Sequence, residues 1–204
     1  MDRYAHWNSV YGAKQDRDVS WFEELPAVSL RMLEASGLTS ASCVLDVGGG
    51  DSRLVDHLVA RGLCCVAVLD VSSAALQRAR ERLGAAASVP VWIQADVAGP
   101  WSLDPVDIWH DRAVFHFLTE AADRARYRAH LEGVLAPGGV AIIATFALDG
   151  PETCSGLPVA RYSPQTLQEA LGPGVQLIES VPWTHTTPWG ASQSFQYSRF
   201  RRAP

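Results

Sequence analysis

Between residues 42 and 147 short apolar runs alternate with amphipathic stretches of helical period, and this alternation constrains the fold more than any other feature. Residues 42–47 (SCVLDV) read as a buried strand that ends at Gly48-Gly49-Gly50. Residues 52–62 set Leu54, Val55, Leu58 and Val59 on one helical face, closed by Gly62. Strands follow at 64–70, 89–96, 105–111 and 140–147. Between them lie a helix at 72–84, with Ser72 or Ser73 as N-cap and Gly84 as C-cap, and one at 120–135, stopped by Pro137-Gly138-Gly139. A parallel sheet with helices on its faces satisfies this order.

After residue 147 the pattern changes. Ser163-Pro164 opens a helix through Leu171, and strands at 175–183 and 192–200 follow with the tip 184–190 between them. No helix separates these two strands, so they are expected to pair antiparallel. At the other end, 20–37 reads as an N-terminal helix entered through Trp21-Phe22. The expected organisation is one domain over 1–204, with a helical leader over 1–40 and an α/β core over 41–204.

Composition removes several classes. The longest apolar run, at 140–146, is too short to span a bilayer, and the N-terminus lacks a secretory pattern. A net charge of -5 does not suit a nucleic-acid binder, and the tail arginines Arg199, Arg201 and Arg202 read as a solvated strand end. The four cysteines, Cys43, Cys64, Cys65 and Cys154, are expected as reduced thiols in a cytoplasmic protein.

The chemistry concentrates in VLDVGGGDS (44–52). A strand feeding a glycine loop feeding a helix lets backbone approach a ligand, because glycine lacks a Cβ. The loop departs from the dinucleotide pattern: Arg53 stands at the last glycine position, and Asp51 brings negative charge where a diphosphate would sit. It resembles instead motif I of the class I S-adenosylmethionine (SAM)-dependent methyltransferases, hydrophobic-x-Asp-x-Gly-x-Gly, departing at Ser52 where a third glycine is frequent. The resemblance implies a Rossmann-like seven-stranded sheet of order 3-2-1-4-5-7-6, its last strand antiparallel. It implies SAM as cofactor and S-adenosylhomocysteine (SAH) as product. It assigns Asp46, Gly48, Gly49 and Gly50 to the loop. Asp70, with Val71, falls at the ribose position, and Asp96, with Val97, at the adenine position. The leader RYAHWNSVYG…VSWFEELP is similar to that of lysine methyltransferases acting on citrate synthase and elongation factors, which implies that Trp7, Tyr11 and Trp21 cover the cofactor. As core aromatics they would instead pin a helix to the sheet.

The fourth strand runs into DIWHDRAVFHFL (107–118), motif IV by the resemblance, where Asp111 faces both cofactor and acceptor. His110, Asp111 and His116 are the candidate proton-handling residues; alternatively Asp111 and Arg112 pair and His116 caps a turn. Arg112, Cys154, His185 and Gln193 are candidates to line the acceptor pocket. No metal-ligand spacing is present. The expected function is methyl transfer to a small molecule, with a protein lysine, an inactive SAM-binding scaffold and an NAD(P)-dependent oxidoreductase as successively different readings. The expected partners are a small-molecule or protein acceptor, no nucleic acid and no membrane, in a monomer or homodimer.

Overall fold

A computed structural model describes residues 2–203, apart from the side chain of Asp16. The chain ends of the expected 1–204 unit lie outside the described residues. The apolar runs form β1 (Cys43–Val47), β2 (Cys65–Asp70), β3 (Val91–Gln94), β4 (Val106–Arg112) and β5 (Leu135–Phe146). A short hairpin follows, β6 (Thr153–Cys154) and β7 (Leu157–Pro158), and then β8 (Val175–Thr186) and β9 (Ser192–Arg202). The helices are α1 (Arg3–Ala13), α2 (Ala27–Ala35), α3 (Leu54–Ala60), α4 (Ser73–Leu83), α5 (Ala121–Val134) and α6 (Pro164–Leu171). The sheet runs β3-β2-β1-β4-β5-β9-β8. Neighbours from β3 to β5 are parallel, and β9 is antiparallel to both β5 and β8. With the small hairpin set aside, this is the expected order.

Local chemistry sets the ends. The Ser72 hydroxyl accepts from the Ala75 amide and Gly84 closes α4 at φ +57°. Ser163 caps α6 with Pro164 in its first turn. Pro90 directly precedes β3, an edge strand that misses no ladder bond there.

Each face of the sheet buries its own apolar layer. Leu45, Leu69, Trp109 and Ile143 pack with Tyr127 and Leu131 of α5 and Leu167 of α6. Val44, Val68, Ile108 and Ile142 pack with Leu33 of α2, Leu58 of α3 and Leu76 of α4. Burial of each large side chain contributes about 1.5–3 kcal/mol.

The structure corrects several expectations. Cys43 and Cys65, register partners at the start of β1 and β2, form a disulfide, whereas reduced thiols were expected. Cys64 is a free exposed thiol and Cys154 a free buried one. Of the expected leader helix over 20–37, only Ala27–Ala35 is helical. α2 begins only after Pro26, because a proline at that point cannot sit inside a helix, and α1 lies further upstream. α5 runs straight into β5, so Pro137-Gly138-Gly139 lies within a strand. Arg199 is not a solvated end: it pairs with Glu179 at 2.8 Å, and Arg202 donates to the Leu135 carbonyl. β8 extends to Thr186, which takes His185 out of the turn and into the strand.

Candidate functional site

The carboxyl ends of β1, β2 and β3 open on one cavity, and the leader roofs it. Gly48 (φ +64°) turns the chain out of β1, and its amide donates to the Leu69 carbonyl at 2.6 Å. A Cβ on Gly48 would run into the Val114 side chain. One on Gly49 would lie 2.6 Å from Asp46 Oδ2, and one on Gly50 2.8 Å from Asp70 Oδ2. All three positions therefore exclude side chains.

Asp70, Val71, Asp96 and Val97 line this cavity together with Gly48, Trp7, Tyr11 and Trp21. Asp70 Oδ1 accepts from the Ser72 amide at 2.7 Å, and burial pushes its carboxyl up to about 7. Asp96 Oδ1 accepts from the Ala98 amide at 2.9 Å, and Oδ2 accepts from Arg3 of α1 at 2.8 Å. α1 is latched further by Asn8, whose side-chain oxygen accepts from the Ser72 hydroxyl at 2.9 Å and the Ala74 amide at 3.2 Å. The leader rings Trp7 and Trp21 lie 5.8 Å apart, and Trp7 lies 5.2 Å from Phe117 beyond β4. Arg112, Cys154 and Gln193 complete the wall with Phe146 and Phe195.

A smaller polar compartment lies across the glycine loop and shares Tyr11, Trp21, Gly48 and Arg112 with the first. It contains Asp46, Gly49 and His110. Asp46 Oδ1 accepts from His110 Nδ1 at 2.7 Å, while Oδ2 is buried without a hydrogen-bond partner. The other His110 nitrogen meets Ser29 Oγ of α2 at 2.9 Å. Asp51 does not leave its charge at a helix start: it pairs with Arg82 of α4, and α3 begins only at Leu54.

The proton-handling cluster does not assemble. Alternation along β4 sends its side chains to opposite faces. Asp111 turns toward α5, where it accepts from Tyr127 Oη (2.8 Å) and the Val114 amide (2.9 Å); burial lifts its carboxyl to about 6. His110 and Arg112 turn toward the leader. His116 is fully buried against Phe146, whose amide donates to Nδ1 at 3.4 Å. Burial and the nearby Arg112 charge hold His116 down to about 3, so the ring stays neutral. Neither Asp111 nor His116 lines either compartment. His185 is also turned away: it donates to the Ser20 carbonyl at 2.6 Å and lies 3.2 Å from Glu23.

Arg112 ties the leader to the sheet. Nε donates to Tyr197 Oη (2.9 Å), Nη1 to the Trp21 carbonyl (2.9 Å), and Nη2 pairs with Glu23 at 3.2 Å. Burial opposes a charge on Glu23, but His185 and Arg112 hold its carboxyl below the usual range. Sequence reasoning missed Arg3, Glu23 and Phe146, whose positions depend on long-range contacts. Phe117 and Phe195 had no role assigned from the sequence.

Residues 44–139 match the methyltransferase domain family. An uncharacterized methyltransferase of Mycobacterium tuberculosis is 31% identical over 117 residues, 56% of each chain, and a Mycobacterium bovis protein of the same description matches equally. The chain thus spans about half the length of the curated relatives it matches. Among solved structures, the N-methyltransferase NodS of Bradyrhizobium japonicum with bound SAH superposes at a TM-score of 0.73, 17% identity and full coverage of both chains. Burkholderia thailandensis 1,6-didemethyltoxoflavin-N1-methyltransferase, with its substrate and SAH bound, superposes at 0.75 with 18% identity, over 98% of this chain and 87% of that one. A structure described for conversion of a disulfide bond into a thioacetal group during echinomycin biosynthesis superposes at 0.77 with 20% identity, over 97% and 90%. The fold is that of the class I methyltransferases.

Proposed function

We propose that this chain is a SAM-dependent methyltransferase that acts on a small molecule. The observation that carries the reading is the convergence of Gly48, Asp70 and Asp96 on one cavity under the leader rings. The fit to SAM extends to both ends of the ligand. In this reading Asp70 accepts from the ribose hydroxyls, and Asp96 with Val97 meets the adenine; all three residues line the cavity. Asp46 Oδ2, buried and without a partner across the loop, suits the methionine ammonium. Trp7, Tyr11 and Trp21 cover the middle, where ring faces attract a sulfonium by about 0.5–2 kcal/mol.

SAM supplies a methyl group on a positively charged sulfur. The residues of this chain orient it and exclude water, and alignment alone contributes about 7–11 kcal/mol. The largely aromatic lining favours a small acceptor over a protein lysine. No metal takes part in this reading, and no group of three potential metal ligands occurs among the described residues. No helix among them is long and apolar enough to cross a membrane.

The test is labelled-methyl transfer from SAM to separated low-molecular-mass and protein fractions of a cell lysate. Label is expected in the low-molecular-mass fraction. Label confined to protein would favour the lysine reading, and SAM binding without transfer to either fraction would favour an inactive scaffold.

A further inference from the structure

On the reading that this cavity holds SAM, we propose that the acceptor is a small, uncharged aromatic heterocycle methylated on a ring nitrogen. The wall that faces away from Asp70 and Asp96 carries the argument. It comes from the β4 end, β5, the β6–β7 hairpin, β9 and the leader. Its own aromatic side chains are Phe117, Phe146 and Phe195, with Trp7 and Trp21 of the leader shared with the cofactor side, and Phe146 and Phe195 are in edge contact at 4.8 Å. Flat ligands suit such a wall, because ring faces and edges offer offset and T-shaped stacking.

The polar groups on this wall are few and unsuited to taking a proton. They are the Ser20 hydroxyl, the Cys154 thiol, the Gln193 amide and the Arg112 guanidinium, whose charge Glu23 balances at 3.2 Å. Among the described residues that line the cavity, the only carboxylates are Asp70 and Asp96, at the ends of the cofactor-side strands, and there is no imidazole. An aliphatic ammonium (reference pKa about 10.4) or a phenol (about 10) would arrive protonated, with no base beside it. An anionic acceptor meets a second obstacle. Burial pushes the Cys154 thiol up to about 11, so this region disfavours an anion, and a bound thiolate would meet the same desolvation.

A neutral ring nitrogen avoids both obstacles. Its lone pair is free at neutral pH and forms the new bond to the methyl carbon. The carbon–sulfur bond of the sulfonium breaks with its electron pair left on sulfur, which gives neutral SAH. The positive charge passes from sulfur to nitrogen within the same ring-lined space, so cation–π attraction acts before and after transfer. If that nitrogen carried a proton in one tautomer, the methylated product releases it to solvent. The Gln193 amide, at the start of β9, is positioned to donate to a carbonyl or second ring nitrogen and so select the heterocycle's orientation.

The test uses the whole chain saturated with SAH, with calorimetric titration of four probes: quinazolin-4-one, phenol, thiophenol and Nα-acetyl-lysine amide. Labelled-methyl transfer from SAM to each is measured in parallel. Quinazolin-4-one is expected to bind at least ten times more tightly than the others and to accept label on nitrogen, at a rate that, with SAM saturating, is constant from pH 7 to 9. Gln193→Ala and Phe195→Leu are each expected to weaken its binding about five- to tenfold, with SAH affinity unchanged within twofold. Normal SAH binding with no binding or methylation of quinazolin-4-one overturns the proposal, as does transfer confined to the phenol, thiol or lysine. Failure to bind SAH at all overturns the SAM reading beneath it.

Discussion

The two halves of the cavity are built by different means. The half under β1, β2 and β3 comes from consecutive strand ends, and each functional group follows its strand within a residue or two: Gly48 after β1, Asp70 at the end of β2, Asp96 just after β3. The half under β4, β5 and β9 is assembled across the chain. Trp21 reaches it through Arg112, Gln193 comes from the start of the antiparallel strand, and Phe146 comes from the end of β5. A local turn can be read from a few adjacent letters. A wall made by long-range packing cannot. Substitutions in the first half are therefore expected to act on SAM affinity, and those in the buried network behind β4 on stability.

The largest effect is expected at the loop. Gly48→Val puts a branched side chain at φ +64° and against Val114, so SAM affinity should fall at least about a hundredfold. Calorimetry reads the affinity and circular dichroism checks that the sheet remains. A folded variant with ordinary affinity would remove the loop from the site.

Asp70 gives the next effect, and it carries a pH signature. Its carboxyl titrates at about 7, and the ribose hydroxyls need the charged form as acceptor. SAM affinity should therefore fall about tenfold as the pH drops from 8 to 6. Asp70→Asn should bind more weakly and show no slope in that window. An unchanged slope in the variant would assign the titration to another group.

Behind β4 the expected effect is on stability alone. The folded Asp111 carboxyl titrates at about 6, above its ordinary 3.8. Between about pH 4 and 6 the native state thus holds more protons than the unfolded state, and stability from this group is lost as pH rises through that window. The loss between pH 4.5 and 7 is about 2 kcal/mol, and Asp111→Asn should abolish this component while SAM affinity stays within twofold. Urea melts at pH 4.5 and 7 measure it. A tenfold loss of SAM affinity would return Asp111 to the cofactor site.

The same distinction explains what could be read in advance. The alternation of periods over 42–147 gave the parallel strands, and the unbroken pair at 175–200 gave the antiparallel end of the sheet. The strand-end acids stood in plain view. DIWHDR looked like a catalytic cluster because its letters are adjacent, yet strand alternation divides it between α5 and the leader. His185 looked like a loop residue because β8 outlasts its apolar pattern. Cys43 and Cys65 looked independent because parallel register, which makes them neighbours, is a property of the sheet and not of either segment.

The central claim is that the loop and the three strand-end acids hold SAM. Its most direct test is calorimetric titration of the unmodified chain with SAM and, separately, NADH at pH 8, where Asp70 is charged. The account predicts saturable binding of one SAM per chain and no binding of NADH. Saturable NADH binding with none of SAM would contradict it.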